Sequence, residues 1–349
     1  MNKFPFVSIV ICTLNGSKRI SDCLDSLVGQ DYPKESYEII VVNDGSTDDT
    51  LDVLDRYGIK VVNHSKNLGI GAARNSGLQN ASGEIIAYTD DDCLADPKWL
   101  TNLIGCYKDD VMAVGGLIAS FSLETLMEKY MSETGYGNPS PIDFTKSKNP
   151  FYRFFVYLKY MFYPLVLRST SPVMVSNVYT ANASFKKEYL ERAGGWAIEL
   201  NSSEDSEMCN RLKKMFPNQK ILFTKKSVIS HRHFTSLWPF LRQTYLRSAD
   251  TLRCYIKDNK IPPFFPFPII QIAVSLLVFF IQPLFGVVTL LILPQLLYFW
   301  WLVKFIKSFH LRYLLFPYIQ LSLELATIIG MLKGLIYLKI VKRNEAIKV

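Results

Sequence analysis

Residues 83–99, GEIIAYTDDDCLADPKW, run from an apolar stretch straight into Asp90, Asp91 and Asp92. Three adjacent carboxylates repel one another at neutral pH, so they are either dispersed in water or gathered around a positive charge. Asp90 and Asp92 flank one residue at the end of what reads as a strand, and alternation turns both to one side. Carboxylates so placed suit a hard divalent cation, which takes oxygen ligands. A solvated acidic turn that caps the helix starting near Pro97 is the other reading. A second acidic group, Glu204, Asp205 and Glu207, follows Ser203 in NSSEDSE. It has the make-up of a capped helix N-terminus, where carboxylates also favour the helix dipole. His231 and His233 in VISHRH offer neutral imidazole, a competent metal ligand, or are surface-turn residues.

The elements that must position these residues are legible over the first 116 positions. Strand-like FVSIVICT, YEIIVVND, IKVVNHS, EIIAYTD and VMAVGG alternate with helix-like RISDCLDSLVGQ, DTLDVLDRYG, GAARNSGLQNA and DPKWLTNLIGCY. Strands apolar on both faces, alternating with amphipathic helices, indicate an α/β fold with a mostly parallel sheet in βαβ units. Such sheets bind ligands at the carboxyl ends of their strands. Those ends carry Thr13 to Asn15, Asn43 to Ser46 and Thr89 to Asp92. Regular structure lapses through the loop at 133–150 and resumes at VYTANASFKKEYLERAGGW. Gly69 and Gly71 fit a close turn but lack the third glycine of a dinucleotide fingerprint.

Taken together, VSIVICTLNGS, EIIVVNDGSTDDT, NLGIGAARNSGLQNASGEIIAYTDDD and NSSEDSE resemble the inverting glycosyltransferases of family 2, which have the GT-A fold. The resemblance spans residues 6 to about 235. It implies a nucleotide-diphosphate-sugar donor and Mg2+ or Mn2+. It makes Asp92 the metal ligand and Asp90 a ribose or metal contact, with His231 completing the metal site or touching the diphosphate. Thr13, Asn15, Asp44 and Arg74 match residues that hold the donor nucleotide, although Asn43 stands where the family often has a first Asp. Asp205 matches the general base, with Glu204 supporting it. Gln243 and Arg247 are spaced Gln-x-x-x-Arg-Ser, whereas the family's processive synthases carry Gln-x-x-Arg-Trp, which argues against polymerisation.

The remaining third of the chain has another character. The formal charge is +8, and eight Lys or Arg against two Glu place +6 of it between Phe264 and Val349. That is a tail property and makes nucleic acid a poor partner. Six cysteines without a C-x-x-C pair read as buried thiols of a reducing cytosol. No charged side chain occurs from Phe264 to Val303, and Lys304, Lys307 and Arg312 follow. Membrane helices are expected over about 265–283 and 286–303, with a third span or a re-entrant helix over about 314–338, and with the basic end and the catalytic domain cytoplasmic. The stretch 151–169 suits an interfacial helix or a core helix. In 236–263, Arg242, Arg247 and Arg253 sit among aromatic and aliphatic residues, placed to meet lipid phosphates.

The expectation is a GT-A domain over 1–235, an amphipathic interfacial segment over 236–263 and a membrane region over 264–349. It is anchored as a multi-pass protein in the cell membrane and moves one sugar, with inversion, to a lipid-linked or glycan acceptor. A processive synthase, a polyprenyl-phosphate glycosyltransferase and a degenerate GT-A scaffold are the alternatives. A degenerate domain would be expected to lose Asp92 or Asp205, and both are present.

Overall fold

The computed structural model describes residues 4–139, 147, 149–162, 172–200, 202–257, 262 and 265–346, with the side chains of 159–162 and 338–346 excepted. Part of the loop expected over 133–150, the end of the stretch 151–169 and most of 258–264 lie outside these residues. The chain divides into two compact units. One comprises Met1–Leu123, Met131–Asp143 and Pro164–His233, the other Glu124–Tyr130, Phe144–Tyr163 and Phe234–Val349.

The first unit begins β1 (Val7–Thr13), α1 (Ile20–Val28), β2 (Tyr37–Asn43), α2 (Thr50–Leu54), β3 (Lys60–Asn63), α3 (Ile70–Asn80) and β4 (Ile85–Asp90). It continues with β5 (Cys93–Ala95), α4 (Trp99–Ile104) and β6 (Val111–Ser120), followed in the chain by α5 (Leu126–Thr134) and α6 (Pro150–Phe162). Then come β7 (Val173–Met174), β8 (Asn182–Lys186), α7 (Lys187–Arg192), α8 (Glu204–Met215) and β9 (Lys220–His231). Strand alternation divides the core into two layers. Val7, Ile9 and Ile11 pack with Leu24, Leu27, Trp99 and Leu103 on one face. Val10, Ile40 and Ile86 pack with Leu78, Trp196, Met208 and Leu212 on the other. In α1 the buried Ile20, Cys23, Leu24 and Leu27 follow the helical period that carries this face.

The sheet is mixed, which corrects the expectation of a mostly parallel one. Among the described residues its order is β3-β2-β1-β4-β8-β6-β9-β5, with β7 beside β9. β1, β2, β3 and β4 pair in parallel as expected. β8 then runs antiparallel to both β4 and β6. The parallel direction is imposed by βαβ crossovers. β8 is reached instead after a long excursion from β6, so nothing in the local pattern fixes its direction.

The second unit contains α6 with α9 (Leu237–Lys257), α10 (Pro266–Ile281), α11 (Pro283–Leu297), α12 (Phe299–Ser308) and α13 (Arg312–Ala346). Of the helices expected over about 265–283, 286–303 and 314–338, the last is matched, whereas the first two fall on shorter helices. Among the described residues one helix, over Arg312–Tyr337, is long and apolar enough to cross a membrane. α11 and α12 meet at a 74° bend, and α10 has only 16 residues. Lack of charge sets the composition of a segment but not the length of its helices, and Pro283 and the break at Tyr298 divide this one. Glu324, the acidic residue within the Arg312–Tyr337 stretch of α13, is buried and accepts hydrogen bonds from the Tyr157 hydroxyl, from the Tyr298 hydroxyl at 2.8 Å and from Gln320 at 3.2 Å. A carboxylate so supplied is tolerated in an apolar helix.

Gly330 and Gly334 of α13 lie against α9. A Cβ on Gly330 would overlap the Tyr245 carbonyl oxygen, and one on Gly334 would lie 2.8 Å from the Ala249 carbonyl oxygen. Small residues spaced by four let two helix backbones approach. Gly330→Val therefore forces α9 away from α13, and overpacking of this kind costs about 1–3 kcal/mol. Thermal unfolding in detergent should show a lowered midpoint, with Gly330→Ala milder.

Candidate functional site

Three strand ends meet in register: Thr13 pairs with Asn43, and Cys12 with Asp90. The loops beyond β1 and β2 are laced together, since the Asn15 amide donates to Ser46 Oγ and the Thr47 amide to Asn15 Oδ1, both at 2.9 Å. Asn15 takes a left-handed backbone, φ 52°, which Asn tolerates better than most residues. Asp44 is buried and held from several sides. Its Oδ1 lies 2.6 Å from His64 Nδ1 and accepts from the Leu68 amide at 2.9 Å, and its Oδ2 accepts from the Gly69 amide at 2.9 Å. His64 Nε2 is in turn 2.8 Å from Ser76 Oγ of α3.

The three aspartates divide their work. Asp91 turns inward, where Thr13 Oγ1 donates to it at 2.5 Å and Arg19 forks onto both its oxygens at 2.7 and 2.9 Å. Gly16 leaves room for this arrangement, as a Cβ there would sit 2.6 Å from Asp91 Oδ2. Arg19→Met strands a carboxylate that is nine-tenths buried, at a cost of about 1–3 kcal/mol. A lowered unfolding midpoint, largely relieved in the Arg19→Met, Asp91→Asn double variant, is the expected result.

Asp90 and Asp92 turn the other way, toward His231 at the end of β9. His231 Nε2 is 3.5 Å from Asp92 and 3.9 Å from Asp90, and the His231 ring stacks on His233 at 4.7 Å. One donor atom from each of Asp90, Asp92, Cys93 and His231 falls within 4.8 Å of the others. Burial first, then the charge of Asp91, pushes Asp92 up to about 6 against the opposing pull of Arg19. Burial and Asp92 likewise raise Asp90. Carboxylates crowded until they resist ionisation are what an incoming cation relieves. Burial keeps the Cys93 thiol protonated, which leaves two carboxylates and an imidazole as donors fit for Mg2+ or Mn2+.

Asp205 and Glu204 open α8. Ser203 does not cap this helix as expected, because its backbone is left-handed, φ 66°, rather than extended. The loop before α8 is fixed instead through Asn75, which exchanges hydrogen bonds with the Trp196 backbone at 2.7 and 2.9 Å, while Arg211 pairs with Glu207. Arg74 is buried, pairs with Glu204, lies 3.6 Å from Asp205 and sits over the Trp196 ring. Thr180 Oγ1 donates to Asp205 at 2.8 Å. Burial, followed by the adjacent Glu204 charge, pushes Asp205 up to about 7, against the pull of Arg74 and Thr180. A carboxylate with this value alternates between protonated and ionised near neutrality.

Thr13, Asn15, Asp44, Asp90, Asp92, Arg74, Glu204, Asp205 and His231 all fall in the first unit. Arg74 is directed to Glu204 and Asp205, a geometry that its match to a nucleotide contact did not suggest. Arg19, His64, Thr180 and Trp196 were missed. Only GGW before the acidic cluster offered a signal, and the others are partners chosen by the fold. Arg242, Arg247 and Arg253 belong to the second unit. Arg242 and Arg247 are exposed, whereas Arg253 pairs with Asp250 at 3.1 Å and lies over the Tyr337 ring at 4.1 Å.

Residues 8–166 match the family described as Glycosyl transferase family 2. The chain is 36% identical over 101 residues to Glycosyltransferase AglE of Haloferax volcanii, an alignment covering 28% of this chain and 33% of that protein. The chain thus spans about a third of that relative's length. It is 24% identical over 288 residues to the glucosyl-dolichyl phosphate glucuronosyltransferase of the same organism, covering 72% of this chain and 82% of that one. Among solved structures, the mannosyltransferase PcManGT of Pyrobaculum calidifontis, in complex with GDP-Man and Mn2+, superposes with a TM-score of 0.57 at 19% identity. That superposition covers 94% of this chain and 87% of that one, and it shows the GT-A fold.

Proposed function

We propose that this chain, which carries a family 2 glycosyl transferase domain on a GT-A fold, moves a sugar from a nucleotide-diphosphate donor to a hydroxyl of a lipid-linked glycan in a single inverting displacement. The observation that carries this reading is the presence in one unit of two carboxylate pairs, Asp90 with Asp92 facing His231 and Glu204 with Asp205 facing Arg74. Thr13, Asn15 and Asp44 would line the nucleotide. Asp90, Asp92 and His231 would hold Mg2+ or Mn2+, which when bound neutralises the charge that develops on the departing diphosphate.

An attacking hydroxyl must lose its proton as the new bond forms, because its pKa lies far above neutrality. Asp205 would accept that proton. Thr180 fixes one of its oxygens, and Arg74 with Glu204 fixes its orientation and ionisation. A phosphate acceptor is already anionic and would need no base, so Asp205 favours a hydroxyl. The relative named for transfer to glucosyl-dolichyl phosphate supports an acceptor of this kind, at a membrane whose cytoplasmic face the first unit would occupy. Incubation of the purified protein with a panel of nucleotide sugars, a divalent cation and a lipid-linked saccharide tests the reading. Nucleoside diphosphate released in proportion to glycosylated lipid is expected. Transfer to a bare polyprenyl phosphate with none to a saccharide would overturn the choice of acceptor.

A further inference from the structure

α10 and α11 form an antiparallel hairpin turned inside out relative to a water-soluble one. Three of its polar side chains, Gln271, Ser275 and Thr289, lie between the arms. Gln271 and Ser275, 3% and 6% exposed, bond to each other, and Thr289 of the opposite arm donates to Ser275 at 3.0 Å. Gln271 also donates to the Thr289 carbonyl at 3.3 Å. At the turn a Cβ on Gly286 would overlap the Phe279 backbone, so the two arms are in close contact. The outward surface is apolar: Phe280, Ile281 and Leu284 at the tip are 83%, 76% and 69% exposed. No charged residue occurs from 265 to 303.

The arms have 16 and 15 residues. At ~1.5 Å per residue they reach about 24 Å, short of a hydrocarbon core of about 30 Å even without tilt. The ends of the hairpin also differ. Its base continues into α12, where Lys304 is half-buried and Lys307 exposed, basic residues suited to headgroup level. The tip has only Gln282 between Ile281 and Pro283, with nothing suited to a second interface.

We propose that α10 and α11 are a re-entrant membrane hairpin whose occupant is lipid: it enters from the face where Lys304 and Lys307 meet anionic headgroups, and its tip ends among acyl chains without reaching the far side. α12, bent 74° from α11, then lies along the interface.

The test uses the full chain in liposomes containing anionic lipid, as Phe280→Cys, Leu284→Cys and Lys307→Cys variants, with the labelling of the parent cysteines subtracted. Each tip cysteine carrying an environment-sensitive fluorophore should be quenched more by lipids brominated deep in the acyl chain than by lipids brominated near the headgroup. A membrane-impermeant maleimide should modify Lys307→Cys from one face and neither tip cysteine from either face. Tip cysteines modified from the face opposite to Lys307→Cys would overturn the proposal in favour of a full crossing. Tip cysteines modified from the same face, or cross-linked between chains and insensitive to brominated lipid, would overturn it in favour of a water-exposed or self-associating surface. Two tip variants keep the result readable should one fail to fold.

Discussion

Asp205→Asn is expected to lower kcat by roughly 10²- to 10⁴-fold, the usual contribution of a positioned general base, with nucleotide affinity unchanged. Asparagine preserves the shape and can still accept from Thr180 Oγ1, which now donates at 2.8 Å, but it cannot take up a proton. The pH profile supplies a second signature. Asp205 is held up to about 7 by burial and by Glu204. The base works when ionised, so kcat/KM should rise with pH through about 7 and then level off, and the Asn variant should lack that limb. Stability moves in the opposite sense. The folded chain keeps this proton to about 7 whereas the unfolded chain releases it near pH 4, so folding binds more protons and stability falls as pH rises between them. At pH 8 the Asn variant should therefore unfold no earlier than the parent. Near-normal turnover would reduce Asp205 to a helix-terminal carboxylate and restore the phosphate acceptor as the better reading.

Asp92→Asn is expected to abolish measurable transfer, since charge stabilisation worth several kcal/mol depends on the ligand set and each 1.36 kcal/mol is tenfold in rate. The fold should survive, because Asp92 and Asp90 oppose one another and the substitution removes repulsion. Excess chelator should silence the parent to the same degree. As Asp92 is pushed up to about 6 before any cation arrives, apparent Mn2+ affinity should weaken below that pH as protons compete. Titration of Mn2+ by calorimetry at pH 5.5 and 7.5 checks this, and equal affinities, or activity that persists in chelator, would contradict it.

The parallel half of the sheet was legible because period and composition agree there: VSIVICT and YEIIVVN are apolar on both faces and lie between amphipathic helices. β8 was not, since NASFK carries no mark of the direction in which a distant strand will pair. Of the acidic triplet, alternation foretold that Asp90 and Asp92 share a side. That Asp91 is neutralised by Arg19, 72 positions away, could not be read locally. The same limit applies to Arg74, whose partners Glu204 and Asp205 are about 130 residues distant. In the second unit, hydropathy marked where apolar helices form. It did not locate the bend at Tyr298 or the Tyr157, Tyr298 and Gln320 donors that accommodate Glu324.

One displacement assisted by one base dictates the stereochemistry of the product. Proton NMR of the purified product reports it through the coupling constant of the new anomeric proton, read against that of the nucleotide-sugar donor. The configuration should be opposite to the donor's, α giving β or β giving α. Retained configuration would require two displacements or a front-face path, and would contradict the role assigned to Asp205.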